Sequence, residues 1–464
     1  MLLRALGCGL LQQTSLRPIA ARMSMIPPQE SEDPPTFIFP EEPLALPADT
    51  GYGYFQGIPN DVVGPDARFH LQAKLGFGTN SSVWLTKDSQ LGRYVALKIL
   101  TGHASRLNAE RLLRELAVHE RLSSLPADES KHCNRLITHF MHKGIEQDGE
   151  HLCLALELER TTLHSVWNAQ NIKFYPIPIV KRILRHILHG MAALHKCGVV
   201  HTDIKPDNIM VSLAPSWSDE TVPAWVQDHP PRVYNPFQSL YKIVTEAIVS
   251  EEFPPPSVEE LEVCDFKLGD LSNGASPVPS EQSFIERPIA QELDDQTTDY
   301  ITPLTLRAPE VILGGPWDEK VDIWTFGCLV FTILTKAHLF PDGIHPIHHS
   351  FLRSGVDPNN ADSIEADYLL WLMMVMTDQR FPPTVLSLDP NSPNYFESNG
   401  DMKCFISIAR RPLEWCLRDT GYPALEEDVV GACSLMRRCL KLNPSARPSA
   451  QELLQDPWLQ GTNA

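Results

Sequence analysis

Between Phe69 and Glu159 the chain is a succession of short strand-like runs, and after Glu159 it reads as helices. The order limits the fold more than any other feature. The runs FHLQAKLG, SSVWLTKD and RYVALKIL are followed by a helical stretch, LNAERLLRELAVHERLSSL, with Leu112, Leu116, His119 and Leu122 near helical spacing. RLITHFMH and HLCLALEL supply two more strands. Together they predict a small antiparallel sheet carrying one helix. Beyond it, YPIPIVKRILRHILHGMAALHKCG is an amphipathic helix closed by Gly198. The apolar segment around Trp324, VVGACSLMRRCL and SAQELLQDPWL continue the helical pattern. Strands grouped first and helices after predict an α+β class.

Residues 1–65 read as a disordered leader and a Pro/acid-rich tail that packs at most locally, through Phe37, Phe39, Tyr52 and Tyr54. A sheet-bearing lobe is expected over 66–158 and a helical lobe over 159–461. The second lobe is broken at 214–262 by a proline-dense insert with one helix candidate, FQSLYKIVTEAIV. The leader carries Arg4, Arg17 and Arg22 and no acid before Glu30, which suits a mitochondrial presequence as well as an unstructured tail.

The net charge of -19 argues against direct nucleic-acid binding, which needs clustered Lys and Arg, and suits a basic partner. No apolar run reaches the eighteen or so residues that span a bilayer, so no membrane partner is expected. The ten cysteines include no CxxC pair and most sit in apolar runs, as Cys153 and Cys328 do, so they read as reduced core residues. His348-His349 could pair on a metal or lie in an exposed loop. The oligomeric state is not written in the sequence.

Chemistry concentrates in a few motifs. In KLGFGTNSSV, Gly76 and Gly78 let a hairpin backbone approach an anion closely, with Ser81 at a third small position; a plain turn would carry the same residues. Lys98 ends the apolar run VALK. It reads either as a snorkelling strand-edge residue or as a phosphate ligand needing an acid to fix it. Glu115, flanked by Leu112 and Leu116, lies toward the inward helix face, where an unpaired carboxylate is costly, so a Lys98–Glu115 ion pair accounts for both. In VHTDIKPDNIM, Asp203 would orient an attacking hydroxyl and take its proton, and Lys205 would offset charge on a transferred phosphoryl group. Asn208 offers a neutral oxygen to Mg²⁺, and Asp270, after the strand-like FKLG, offers the carboxylate. Read singly, each of these acids could equally be a surface residue.

Taken in order, these motifs resemble the eukaryotic protein kinases from Phe69 to Leu459, together with LRAPE (306–310), DIWTFG (322–327) and NPSARP (443–448). The resemblance implies a bilobal protein-kinase fold: a small antiparallel β-sheet lobe with one main helix, plus a larger mainly helical lobe. It implies ATP and Mg²⁺, with Asp203, Lys205, Lys98 and Glu115 catalytic. Leu75, Val83 and Ala96 would sandwich adenine, Glu157, Leu158 and Glu159 would be the hinge beside it, and Leu156 would sit behind. It implies a Glu310–Arg447 ion pair and an Asp322 anchor for the catalytic loop, both scaffolding.

KLGFGTNSSVWLTKD, HTDIKPDNIM and GDLSNGA further resemble the SR-protein kinases, which phosphorylate serines in Arg-Ser repeats; the short insert resembles the compact fungal type. Thr202 stands where most kinases carry the arginine that reads a phosphorylated activation loop, which implies a kinase that does not wait for that signal. Leu271 keeps an apolar residue after Asp270. Lys205 is the residue of Ser/Thr kinases. A basic, Arg-Ser-rich protein substrate suits Glu292, Asp294, Asp295 and Asp299, and docking candidates are Asp357, Asp362, Glu365 and Asp367. The competing readings are a nucleotide-binding pseudokinase scaffold, a Ser/Thr kinase with another protein substrate, and a small-molecule kinase. The resemblance places the protein in cytoplasm and nucleus; the leader leaves the mitochondrion open.

Overall fold

The computed structural model describes residues 40–145, 147–170, 172–217, 220–271, 291–292, 301–341, 346–353, 356, 361–406 and 411–460. They form two compact units: residues 40–170 with 206–271, and residues 172–205 with 291–460.

In the first unit, β1 (Val62–Val63), β2 (Phe69–Gly78), β3 (Ser81–Asp88), β4 (Arg93–Leu100), β5 (Leu136–Lys143) and β6 (Glu150–Leu156) form one antiparallel sheet. Their order is β1-β2-β3-β4-β6-β5. The two-residue period of a strand sorts the side chains. Val95, Leu97 and Ile99 join Phe69, Leu71, Trp84 and Cys153 in one core. Ala96 and Leu100 join Leu107, Leu113, Leu152, Leu154 and Leu156 in another. Lys98 has the parity of the second face and stands opposite Val83 on β3 and Leu154 on β6.

Two helices cross this sheet where one was expected. The helix α1 (Gly102–Ala109) is capped by Thr101, whose Oγ1 accepts the Ala104 N–H at 3.0 Å. The second, α2 (Glu115–Ser123), begins after a break at Arg111, φ 61°. The amides of Leu112 and Leu113 both turn back to the Leu107 carbonyl, at 2.8 and 3.1 Å. The break brings Leu107 and Leu113 into one core, which a continuous helix would not do at this spacing.

Residues 40–65 are folded from Pro40 onward, unlike the expected tail. Phe55 and Val63 enter a sheet core, while Leu46, Tyr52 and Tyr54 form a small buried cluster that Leu44 and the insert's Leu240 and Ile243 partly cover. Phe37 and Phe39 lie outside the described residues. The helix expected over FQSLYKIVTEAIV is instead a strand pair, Phe237–Gln238 with Val244–Thr245, turned through Tyr241 at φ 53°. The helix-like spacing of Leu240 and Ile243 serves packing on Tyr52 and Tyr54. Among the described residues the insert's longer helix is Thr221–Asp228, whose Val222 and Trp225 pack with Phe253 against Ala73 and Leu85 of the sheet.

The unit boundary also differs from a division at residue 158. Strand Glu159–Thr162 pairs with Ile209–Ser212, which pairs with Phe266–Leu268, and the Asn134 amide donates to the Leu268 carbonyl at 2.8 Å. These backbone bonds join the small sheet to the first unit.

The second unit is helical. Helix Ile177–Lys196 buries Val180, Ile183, Leu184, Ile187, Leu188, Met191 and Leu194, a stripe at helical spacing, and Gly198 turns the chain out at φ 69°. Helix Lys320–Thr335 is buried on all sides from Val321 to Thr335. A Cβ at Gly327 would lie 2.8 Å from Cys439 Cβ, so glycine permits the close approach of helix Glu426–Cys439. Cys153 and Cys328 are both fully buried. Among the described residues no helix is long and apolar enough to cross a membrane.

Candidate active site

The middle of β4 delivers Lys98. Its Nζ lies 2.6 Å from Glu115 Oε1 and 3.2 Å from Asp270 Oδ1. Glu115 is buried at the first turn of α2, so the break at Arg111 sets where it points. Burial works against the Lys98 charge, but the carboxylates of Glu115 and Asp270 outweigh it and raise the ammonium pKa. His119, one turn along α2, is held down to about 3 by burial and by Lys98, so it is neutral.

Asn208 and Asp270 arrive at one end of the small sheet. Ile209 stands opposite Leu268, so Asn208 directly precedes one strand and Asp270 closely follows the other. The Gly269 amide donates to the Asn208 carbonyl at 2.9 Å and ties the two ends together. Asp270 adopts φ 52°, a left-handed conformation that aspartate tolerates better than most residues, and its side chain is half-exposed. An amide oxygen and a carboxylate form a hard donor set that fits Mg²⁺.

The hairpin of β2 and β3 carries Gly76 and Gly78. A Cβ built on either would meet nothing within 4 Å, and neither has a positive φ. The fold itself does not demand glycine there; the space over the hairpin is open to an outside group. Ser81 is buried opposite Gly78, and Val83 faces Lys98 across the ladder. Leu75 and Leu158 pack beside Ala73 and Leu85, while Ala96 lies in the neighbouring core with Val83 and Leu156.

Glu157 and Glu159 follow β6. Lys267 Nζ bridges them at 3.0 and 2.7 Å. Burial pushes the Glu159 carboxyl up to about 7, against the pull of Lys267.

Asp203 and Lys205 belong to the second unit, with the Lys205 Nζ 2.8 Å from Asp203 Oδ2. The backbone leading to Asp203 is held by Asp322, fully buried, whose carboxylate accepts the His201 and Thr202 amides at 2.8 Å each and meets His195 Nε2 at 2.9 Å. Thr202 takes φ 66°, and the Thr302 hydroxyl donates to its carbonyl at 2.7 Å. Arg307, buried, donates to the carbonyls of Ile301 and Thr302. Glu310 and Arg447 form a buried two-pronged pair at 2.6 and 2.7 Å.

The family model of the protein kinase domain matches residues 69–216 and 259–459. The chain belongs to the protein kinase family. The match passes over 217–258, within the insert. The kinase is 27% identical to the serine/threonine-protein kinase SRPK of Physarum polycephalum over 413 residues, 85% of this chain and 86% of that one. It is 24% identical to protein kinase dsk1 of Schizosaccharomyces pombe, over 85% of this chain and 80% of that protein. It is 36% identical to SRSF protein kinase 3 of Mus musculus over 168 residues, 36% of this chain and 29% of that one.

The kinase sequence did not announce every part of this arrangement. Lys267 is legible only once Glu157 and Glu159 are known to meet it, and nothing local marks Thr302. One docking candidate is corrected: Asp367 is 4% exposed, and burial pushes its carboxyl up to about 6, against the pull of a hydrogen bond from Cys404. Asp294, Asp295, Asp299 and Asp357 lie outside the described residues. His348 is buried and bonded to the Tyr368 hydroxyl at 2.7 Å, so it is a packed residue.

Proposed function

We propose that this kinase transfers the ATP γ-phosphoryl group to Ser/Thr hydroxyls of basic, Arg-Ser-rich proteins, without prior phosphorylation of its activation loop. The observation that carries the reading is Lys98 fixed between Glu115 and Asp270. An ammonium so placed can bind phosphate oxygens without a rotamer search. Asn208 and Asp270 would hold Mg²⁺, which supplies charge neutralisation on the phosphates when bound. Asp203 orients the hydroxyl and takes its proton, and Lys205 stabilises charge on the transferred group. The open backbone over Gly76 and Gly78 admits phosphate, with Leu75, Val83 and Ala96 around adenine. Thr202 is buried and its peptide groups are satisfied by Asp322 and Thr302, an arrangement that asks for no phosphate. The named SRPK relatives and the net charge of -19 support an arginine-rich substrate. Cytoplasm and nucleus are the compartments proposed.

The test is phosphate transfer from Mg-ATP to an Arg-Ser repeat peptide, beside a generic basic serine peptide, using unphosphorylated protein and an Asp203→Asn control. Transfer to the Arg-Ser peptide, lost in the control, is expected. Transfer to the generic peptide alone would remove the substrate assignment. ATP binding without transfer to either would point to a scaffold.

A further inference from the structure

The glycine hairpin is gripped from behind by residues that precede the matched kinase domain. The Tyr54 hydroxyl, on a side chain 4% exposed, lies 2.8 Å from the Gly78 carbonyl and 2.7 Å from the Thr79 carbonyl. The next carbonyl, Asn80, accepts the Thr101 amide at 2.8 Å. The single Tyr54 proton, shared by the Gly78 and Thr79 carbonyls, and the Thr101 amide thus hold the hairpin tip on the protein side.

The chain around Tyr54 is itself fixed. The Gly102 and His103 amides, at the start of α1, donate to the Gly53 and Tyr52 carbonyls at 2.8 and 3.1 Å. Lower on the hairpin, Lys74 is buried against Glu41 and Glu42, and its Nζ stands 5.2 Å from the Phe77 ring centroid, between the two glycines. Glu41 also accepts the Ser250 amide and hydroxyl of the insert. A hairpin containing Gly76 and Gly78 has much backbone freedom to lose when it closes on phosphate. Contacts that engage its carbonyls beforehand lower that cost and leave its amides to meet the anion.

We infer that Tyr54 is a positioning residue for ATP: the segment 41–54 is a strap that pre-shapes the phosphate-binding hairpin, and the tyrosine hydroxyl is its contact with the tip. The inference rests on the proposed kinase activity.

Tyr54→Phe removes the hydroxyl and keeps the ring. The full chain and the variant are compared by steady-state kinetics, by direct titration with Mg-ADP, and by hydrogen exchange. Loss of one such bond should raise the ATP KM and the Mg-ADP dissociation constant about five-fold, leaving the Arg-Ser peptide KM unchanged. Amides of 76–82 should exchange faster while those of β4 do not change, which a merely structural defect would not produce. ATP KM, Mg-ADP affinity and hairpin exchange all equal to wild type would overturn the positioning role and leave the kinase reading standing. Wild-type protein that binds no Mg-nucleotide would overturn both.

Discussion

The Thr302 hydroxyl donates to the Thr202 carbonyl at 2.7 Å, with both side chains buried. It fixes the peptide immediately before Asp203, while Asp322 holds the two amides that precede it. Thr302→Val keeps the shape and removes the donor. Loss of one neutral hydrogen bond of about 1 kcal/mol should lower kcat about five-fold, with the ATP KM unchanged. Rescue in Thr302→Ser would assign the effect to the hydroxyl; an unchanged kcat in the valine variant would show that Asp322 suffices.

Glu115 is the acid that holds Lys98 closest. Glu115→Gln leaves the lysine with Asp270 alone. A hydrogen bond to a charged group is worth about 1.5–3 kcal/mol, so kcat/KM should fall by about 10–100-fold. Activity within two-fold of wild type would show that Asp270 positions the ammonium unaided.

The Glu310–Arg447 pair is a matter of stability. Both residues are almost fully buried. Arg447→Met strands a carboxylate in the interior, and urea unfolding should show a loss of about 3–5 kcal/mol. Glu310→Gln/Arg447→Met, which removes both charges, should lose less. A double variant as unstable as the single one would show that the Arg447 bonds to the Lys320 and Lys441 carbonyls matter more than the pair.

Glu159 gives a pH dependence of definite sign. Its folded pKa of about 7 lies above the ordinary value of 4.5. The folded protein therefore holds the extra proton between those values. The contribution of this carboxyl to stability is complete below pH 4.5 and is lost as pH rises through 7. The stability of wild type relative to Glu159→Gln should fall between about pH 5 and about pH 8 in urea titrations. A relative stability that rises with pH would show that Lys267 holds the carboxyl ionised.

Much of the fold is legible because it is local. The two-residue period of β3 and β4 already places Val83, Ala96 and Lys98 on one face, and the stripe from Val180 to Leu194 defines its helix. The errors share a cause. The stretch from Leu107 reads as one helix from the spacing of Leu112, Leu116, His119 and Leu122, yet the chain breaks at Arg111 and puts Leu107 and Leu113 in the same core. Leu240 and Ile243 mimic a helix but pack on Tyr52 and Tyr54. In each case tertiary burial outweighed propensities of under about 1 kcal/mol per residue.

By itself the sequence determined which chemical groups are available: the lysine, the acids, the amide and the glycines, at spacings that fix their order along strands and loops. It determined the strand parity of Lys98 for the same reason, since side chains alternate along a pleated backbone. Only the tertiary structure decided that Asp270 joins Glu115 on Lys98, that residues from Pro40 onward are folded, and that Tyr54 grips the glycine hairpin. Those contacts join residues far apart in the chain through hydrogen bonds and shared cores, and no local period records them.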